Sequence, residues 1–450
     1  MKYDSVIIGF GKGGKTLAAA LAGRGEKVAV IEKSNKMYGG TCINVGCIPS
    51  KSLVRSSGLS RLNSTDSFDA KDEKYKKAIE EKRRVTSMLR QKNYDKLNNL
   101  SNVTVIDGTA SFLSNTEVLI KKDGAENKVS ADKIFINTGS TAVIPDIEGI
   151  NNNPKVFTSE TLMELEKLPR NLTIIGGGYI GLEFASMYSN FGSRVTVIQD
   201  GGVFISKEDR DIANEIQKVL EENGVSFIFS AKTYKIDGAD VYYKKEENDF
   251  ILNGDAVLIA TGRRPNTDGL CADKAGVELT ARGAVKVDDG LKTTASNIWA
   301  MGDVCGSLQF TYVSLDDCRI VLSQLNKGEE RKLSSRRNVP YSVFISPSFS
   351  RVGLSEKEAL EKGYKIKVAK LPAAAVPKAQ VLKQTSGLLK AVIDADTDKV
   401  LGAMLFCEES YEMINIVKLA MDMEADYRVL RDNIYTHPTM SEALNDLFAV

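Results

Sequence analysis

The chain reads as an α/β protein with two Rossmann-like dinucleotide-binding domains, followed by a C-terminal region of mixed strands and helices. Three observations predict this. A length of 450 residues allows about three domains. A glycine fingerprint occurs twice, each time between an apolar run and an Ala- or Leu-rich stretch. After a polar segment at 326–338, "VPYSVFISPSFSRVGLSEKEALEKGY" opens a last domain in which strand and helix patterns mix.

The first fingerprint lies in "SVIIGFGKGGKTLAAALAGRGEKVAVIEK". An apolar strand enters Gly9-x-Gly11-x-x-Gly14, a helix follows, and a second strand returns to end at Glu32. The glycines allow a tight turn, close approach to a pyrophosphate and packing of helix on sheet. The helix N-terminus favours the phosphate charge, and a carboxylate about twenty residues on can accept from ribose hydroxyls. The second copy, "NLTIIGGGYIGLEFASMYSNFGSRVTVIQD", carries Gly176-x-Gly178-x-x-Gly181 and a return strand ending near Gln199. Two fingerprints imply two dinucleotides.

Between the copies, "AKDEKYKKAIEEKRRVTSMLRQKNYDKLNNL" is charge-rich with apolar residues at helical spacing, and reads as a solvated helix without chemistry. "VTVIDGTASFLSNTEVLI" alternates like strands. "KIFINTGS" and "AVLIATGRRPN" each run from strand into a glycine turn, and "NIWAMGDV" is a further strand ending in Gly302-Asp303. Polar 326–338 reads as a linker.

Sixty Lys and Arg against 59 Asp and Glu leave a formal charge of +1, which argues against nucleic acid or an acidic membrane as the main partner. No apolar run reaches the eighteen or so residues of a membrane span. "MKYDSVIIGFG" has the look of a strand and turn rather than a secretory signal, so a cytoplasmic protein is expected.

Among six cysteines, Cys42 and Cys47 stand close together in "GGTCINVGCIPSK". Such a pair can be a staple, two metal ligands or a reaction couple. A reducing compartment disfavours the staple. A His/Cys metal site is poorly supplied, because the chain has a single histidine, His437. The other cysteines, 271, 305, 318 and 407, are scattered and read as small apolar residues.

The ordered set of first fingerprint, "GGTCINVGCIPSK", "INTG", "GGGYIGLE", "ATGRRPN", "MGDV" and terminal "HPTMSE" resembles the flavin-dependent pyridine nucleotide–disulfide oxidoreductases across essentially the whole chain. "VIIGFGKGGKTLA", "GSLQFTYVSLDD" and "RNVPYSVF" resemble the bacterial reactive-chlorine-resistance branch, which are hypothiocyanous acid reductases. The resemblance implies an FAD domain from 1–148 and 265–335, an NAD(P)H domain from 149–264, and a C-terminal α+β dimerisation domain from 336–450. It implies that Gly9, Gly11, Gly14, Glu32, Thr41, Lys51, Thr138, Gly139, Gly262 and Asp303 serve the flavin region. Gly176, Gly178, Gly181 and Gln199 would serve the nicotinamide nucleotide. Asn137 departs from the Ala the family often has, and no function is assigned to it.

The same resemblance implies the chemistry. Cys42 is the interchange thiol that meets substrate, and Cys47 faces the flavin and closes the disulfide. Lys51 lies near the flavin's reactive nitrogen and pairs with Glu183. His437, oriented by Glu442, moves protons and comes from the other subunit of a homodimer. Gln199 and Asp200 stand where NADPH users place positive side chains, with only Arg194 near, which points to NADH over NADPH. The substrate reading is hypothiocyanous acid. The alternatives are lipoamide or glutathione disulfide, Cu(II) or Hg(II), and a non-catalytic redox switch. "NDLFAV" lacks the C-terminal cysteine pair of mercuric reductases. No metal is expected as a resident cofactor.

Overall fold

The computed structural model describes residues 1–62, 65–326 and 331–450. The chain divides into two compact units. One holds Met1–Leu53, Lys77–Ile144 and Gly262–Arg336, and the other holds Val54–Lys76, Pro145–Thr261 and Arg337–Val450. The stretches 149–264 and 336–450 therefore belong almost entirely to the same compact unit.

The first unit is built on a seven-stranded sheet. Strands Val103–Asp107, Val28–Glu32, Lys2–Ile8 and Ala125–Ile136 run parallel in that order, and Ile298–Ala300 joins Ala125–Ile136 in parallel. Glu117–Lys122 and Thr109–Phe112 extend the sheet antiparallel. All five residues of Val28–Glu32 are buried, as expected when both faces of a parallel sheet are covered. Alternate side chains enter two cores. Ile7, Val28, Val30 and Phe135 pack on one face. Val6, Ile8, Ala29, Ile31 and Ile136 pack on the other.

In the second unit, strands Val225–Ile228, Arg194–Ile198, Asn171–Ile175, Ala256–Ile259 and Val156–Thr158 form a parallel sheet. Its C-terminal part is a five-stranded antiparallel sheet, Tyr341–Val343, Phe349–Gly353, Val400–Phe406, Leu388–Asp394 and Ile366–Pro372. Met413, Ile414 and Val417 of helix Ser410–Asp422 pack into its core. This is the α/β class with an α+β C-terminal part that the sequence predicts.

Two readings need correction. The helix Phe68–Asn98 is not solvated all round. Tyr75, Ala78, Ile79, Lys82 and Thr86 are buried along one stripe at helical spacing. The Tyr75 and Tyr188 hydroxyls meet at 2.9 Å. Nor is 326–338 a plain linker, although its residues 327–330 lie outside the described residues. Arg336 pairs with Asp316 at 2.7 Å and with the buried Asp317, whose other oxygen accepts from the Gly302 N–H at 2.7 Å.

Candidate active site

The first fingerprint is held by close backbone approach. Gly9 has φ +106°, and a side chain there would meet the Asn137 carbonyl at 2.3 Å. A Cβ on Gly14 would lie 2.7 Å from the Gly9 carbonyl. The helix Lys12–Ala22 starts at Gly11, which has no side chain to cap it, and its first turn holds no acid. Two of its first donors are capped from distant sequence. Gly13 N–H donates to Ser314 Oγ at 3.2 Å, and Gly14 N–H to Asn137 Oδ1 at 2.9 Å. Asn137 Nδ2 donates to the Met301 carbonyl at 2.7 Å. Asn137 thus ties together the turn, its own strand end and strand Ile298–Ala300.

At the end of the second strand, Glu32 is buried and accepts from the Phe10 N–H at 3.0 Å and the Ser34 N–H at 3.3 Å. Burial raises its pKa, against the pull of those donors. A positive helix start and a carboxylate at the strand end suit an anionic dinucleotide with a ribose beside it.

Thr138, Gly139, Gly262 and Asp303 lie around one crossover. Ser140–Ala142 pairs antiparallel with Arg263–Pro265. Thr138 Oγ1 donates to the Asn266 carbonyl at 2.7 Å, and Ser140 Oγ donates to Asp303 at 2.6 Å. Arg263 Nε donates to Ser140 Oγ at 2.9 Å. Burial raises the Asp303 pKa; Ser140 and then Arg263 oppose it.

The redox stretch folds into two helices, Thr41–Asn44 and Cys47–Arg61. Gly40 (φ +78°) leads in so tightly that a Cβ would lie 2.7 Å from Gly11 Cα, which locks the stretch against the first fingerprint. Asn44 holds the turn by donating to the carbonyls of Gly40 at 2.9 Å and Tyr38 at 3.0 Å. Arg90 Nε donates to Asn44 Oδ1 at 2.7 Å.

Cys42 and Cys47 are free thiols, the first half-buried and the second exposed. They hydrogen-bond to each other, and that bond divides their charge. The Cys47 pKa is driven down, first by the Cys42 thiol and further by Thr311 and the positive charge of Lys51, against the effect of burial. The Cys42 pKa is driven up by the same bond and by burial. Lys15, on the fingerprint helix, lies close enough to interact with Cys42, and burial lowers its own pKa to about 8.

In the second unit, the second fingerprint repeats the geometry of the first. A Cβ on Gly176 (φ +112°) would meet the Ala260 carbonyl at 2.5 Å, and one on Gly181 the Gly176 carbonyl at 2.1 Å. Around Gly178, the cap of helix Tyr179–Phe191, there is open space. Gln199 turns its amide into the following loop, donating to the carbonyls of Gly201 at 2.8 Å and Val203 at 3.1 Å. Arg194 is not near this end. It starts the strand that Gln199 follows, roughly 15 Å away at about 3.3 Å per residue. Nucleotides bind outside the carboxyl ends of such strands. Tyr179 bonds through its hydroxyl to buried Glu208, which Tyr341 and Arg351 also engage.

Glu183 accepts from the Phe344 N–H at 2.8 Å. Exposed His437 has its Nδ1 2.8 Å from Glu442 Oε2, and the Glu442 carboxylate is largely buried. The structure thus joins Cys42 to Cys47 and His437 to Glu442. Lys51 and Glu183 lie in different compact units, as do Cys42 and His437. Sequence reasoning passed over Lys15, Asn44, Arg90, Asn137 and Thr311. All but Arg90 lie within quoted motifs, and of these Asn137 was noted there but given no function.

Residues 3–317 match the model of the pyridine nucleotide-disulphide oxidoreductase family, and residues 339–448 match the dimerisation domain of the same family. The chain belongs to this family. Over 449 residues it is 49% identical to RclA of Escherichia coli K12, named as a probable pyridine nucleotide-disulfide oxidoreductase, covering 100% of this chain and 99% of that one. It is 34% identical to the dihydrolipoyl dehydrogenase of Mycobacterium bovis, covering 99% and 97%. A solved structure described as a Cu(II) complex of the HOCl-induced flavoprotein disulfide reductase RclA from Escherichia coli superposes with a TM-score of 0.94 at 48% identity, covering 100% of this chain and 99% of that chain. The protein is therefore an oxidoreductase of this flavoprotein family, and its dimerisation domain supports a homodimer. Among the described residues, no helix is long and apolar enough to cross a membrane.

Proposed function

We propose that this protein reduces hypothiocyanous acid to thiocyanate in defence against oxidative stress, with electrons from a reduced nicotinamide nucleotide. The observation that carries the reading is the pair of free thiols, Cys42 and Cys47, held beside the first fingerprint by Gly40 and Asn44. The likeness to a relative described as HOCl-induced supports an oxidant linked to reactive chlorine.

FAD, held by Gly9, Gly11, Gly14, Glu32, Thr41, Lys51, Thr138, Gly139, Gly262 and Asp303, would supply two-electron transfer between the nucleotide and the cysteine pair. Gly176, Gly178, Gly181 and Gln199 would hold the nucleotide. Asp200 follows Gln199, and Arg194 stands at the far strand end. Both features support NADH over NADPH.

His437 of the second subunit takes the Cys42 proton, and Glu442 holds its ring. The Cys42 thiolate attacks the sulfur of HO–S–C≡N and forms an S–S bond. The S–O bond breaks, and the proton on His437 leaves with hydroxide as water. The Cys47 thiolate then attacks the Cys42 sulfur and expels thiocyanate, which leaves a Cys42–Cys47 disulfide. Two electrons have moved from the dithiol to the substrate sulfur. Lys51 keeps positive charge beside Cys47. The exposed Leu419, Met423, Val429 and Ile434, the last 96% exposed, fit a C-terminal surface that another copy covers.

A second reading, Cu(II) reduction, is favoured by the likeness to a relative solved as a Cu(II) complex and by the affinity of soft thiolates for copper. Steady-state nucleotide oxidation separates the readings. Hypothiocyanous acid, oxidised glutathione, lipoamide and Cu(II) are offered in parallel to the wild type and to Cys42→Ser. The expected result is Cys42-dependent turnover with hypothiocyanous acid far above the others. Brisk turnover with a disulfide or Cu(II) alone would overturn it.

A further inference from the structure

We propose that Thr311 is a positioning residue for the redox pair, its hydroxyl donating to the Cys47 sulfur and holding that sulfur as the charged member. The proposal rests on reading Cys42 and Cys47 as the redox couple. Thr311 lies 264 residues from Cys47 in sequence, yet its Oγ1 is 3.5 Å from Cys47 Sγ. Each residue opens a 15-residue helix, Cys47–Arg61 and Thr311–Leu325. The sulfur therefore sits at the start of two helices, where backbone dipoles favour negative charge.

The groups facing Cys47 come from several elements. Cys42, on helix Thr41–Asn44, donates its thiol hydrogen bond. Lys51, on Cys47's own helix, adds positive charge. Tyr312, next to Thr311, has its phenol pushed up by burial and by the Cys47 charge. Lys15 acts on Cys42. The Thr311 hydroxyl is within reach of both sulfurs, and its one proton is assigned to Cys47, 3.5 Å away. Among these, Thr311 contributes without charge and without changing in the reaction. Cys42 loses its own donor proton when it attacks substrate, so the bond from Cys42 is lost at that moment. The hydroxyl persists, and Cys47 remains a thiolate ready to close the disulfide. A thiol of lower pKa is also the better leaving group when the disulfide is reopened.

The test needs no oxidant. Alkylation of the reduced holoprotein by iodoacetamide, resolved at Cys47 by mass spectrometry, is followed against pH, together with thiolate absorbance in the ultraviolet. In Thr311→Val, equal in size but without the hydroxyl, the Cys47 midpoint should rise by about one pH unit, the effect of one charge-assisted hydrogen bond. Thr311→Ser should restore it. A Thr311→Val midpoint equal to wild type, or a Thr311→Ser midpoint shifted as far as Thr311→Val, would overturn the proposal. Should Thr311→Val not fold, Thr311→Ala against Thr311→Ser makes the same comparison. Failure to turn over hypothiocyanous acid would leave this titration standing, and an unshifted titration would leave the turnover standing.

Discussion

Asn137→Ala removes the side chain that ties the first fingerprint to the rest of its sheet. Asn137 is buried at 6% exposure. Its Oδ1 accepts from Gly14 N–H at 2.9 Å, and its Nδ2 donates to the Met301 carbonyl at 2.7 Å and to Ser314 Oγ at 3.5 Å. Alanine leaves the Gly14 donor and the Met301 acceptor without this partner in a buried place. Each orphan costs about 1–3 kcal/mol, so the pair costs about 2–6 kcal/mol. In a unit of this size each kcal/mol moves the midpoint by about 2–4 °C, and the first unfolding transition should fall by roughly 4–24 °C. The helix start also loses its cap, so flavin should escape at a lower temperature than in wild type. Thermal scans of the holoprotein, followed by circular dichroism and by flavin fluorescence, read both effects. An Asn137→Ala protein that melts within about 2 °C of wild type and keeps its flavin would refute this account of the cradle.

Other outcomes follow from the same geometry. His437→Gln should lower kcat/KM by about 10²- to 10⁴-fold, the usual worth of a general acid–base. Glu442→Gln, which loses the charge in the 2.8 Å contact to Nδ1, should lower it by about 10- to 100-fold; a Glu442→Gln enzyme as fast as wild type would deny it the orienting role. The lowered Cys47 pKa means that its charge persists as pH falls. Ultraviolet thiolate absorbance of the reduced protein should therefore titrate at least one pH unit below the ordinary midpoint near ~8.5, and Cys47→Ser should abolish that step. Gln199→Arg places a cation at the strand end and should shift the NADPH-to-NADH ratio of kcat/KM upward by about tenfold. Lys390, 1% exposed, pairs with Asp209 at 2.9 Å, Asp211 at 3.1 Å and Glu356 at 2.7 Å. Lys390→Met leaves buried Asp209 and its partly exposed neighbours without their central cation and should cost about 1–3 kcal/mol in denaturant unfolding.

What the sequence made legible was whatever is local. The two strand–turn–helix fingerprints are each written within thirty or so residues and carry their own physical reason, while the roles of the cysteine stretch and of His437 with Glu442 came from the family resemblance. What it hid was contact across the chain. The cap that Ser314 gives Gly13 spans 301 residues, and the cap that Asn137 gives Gly14 spans 123. Thr311 reaches Cys47 across 264. No periodicity encodes such pairs. Charge misled in its own way. Helix Phe68–Asn98 reads as solvated because its buried stripe includes Lys82, which breaks the apolar pattern. In the charged run Lys207–Glu208–Asp209–Arg210–Asp211, Glu208 and Asp209 are buried because Arg351 and Lys390 meet them from the C-terminal sheet.

The asymmetry of the redox pair follows from the fold rather than from the cysteines themselves. Two thiols linked by one hydrogen bond are chemically equivalent until their surroundings differ. Cys47 begins a long helix, has Lys51 one turn further along it and meets the first residue of a second long helix. Cys42 lies on a helix of four residues, too short to offer a comparable dipole. Negative charge therefore settles on Cys47, and Cys42 keeps its proton. A protonated Cys42 is a poor nucleophile. If Cys42 is the sulfur that meets substrate, a base has to be brought to it. The chain has one histidine, and a largely buried carboxylate already holds that imidazole by its Nδ1 side. In the proposed mechanism, the asymmetry that readies Cys47 to close the disulfide also calls for His437 to start the reaction.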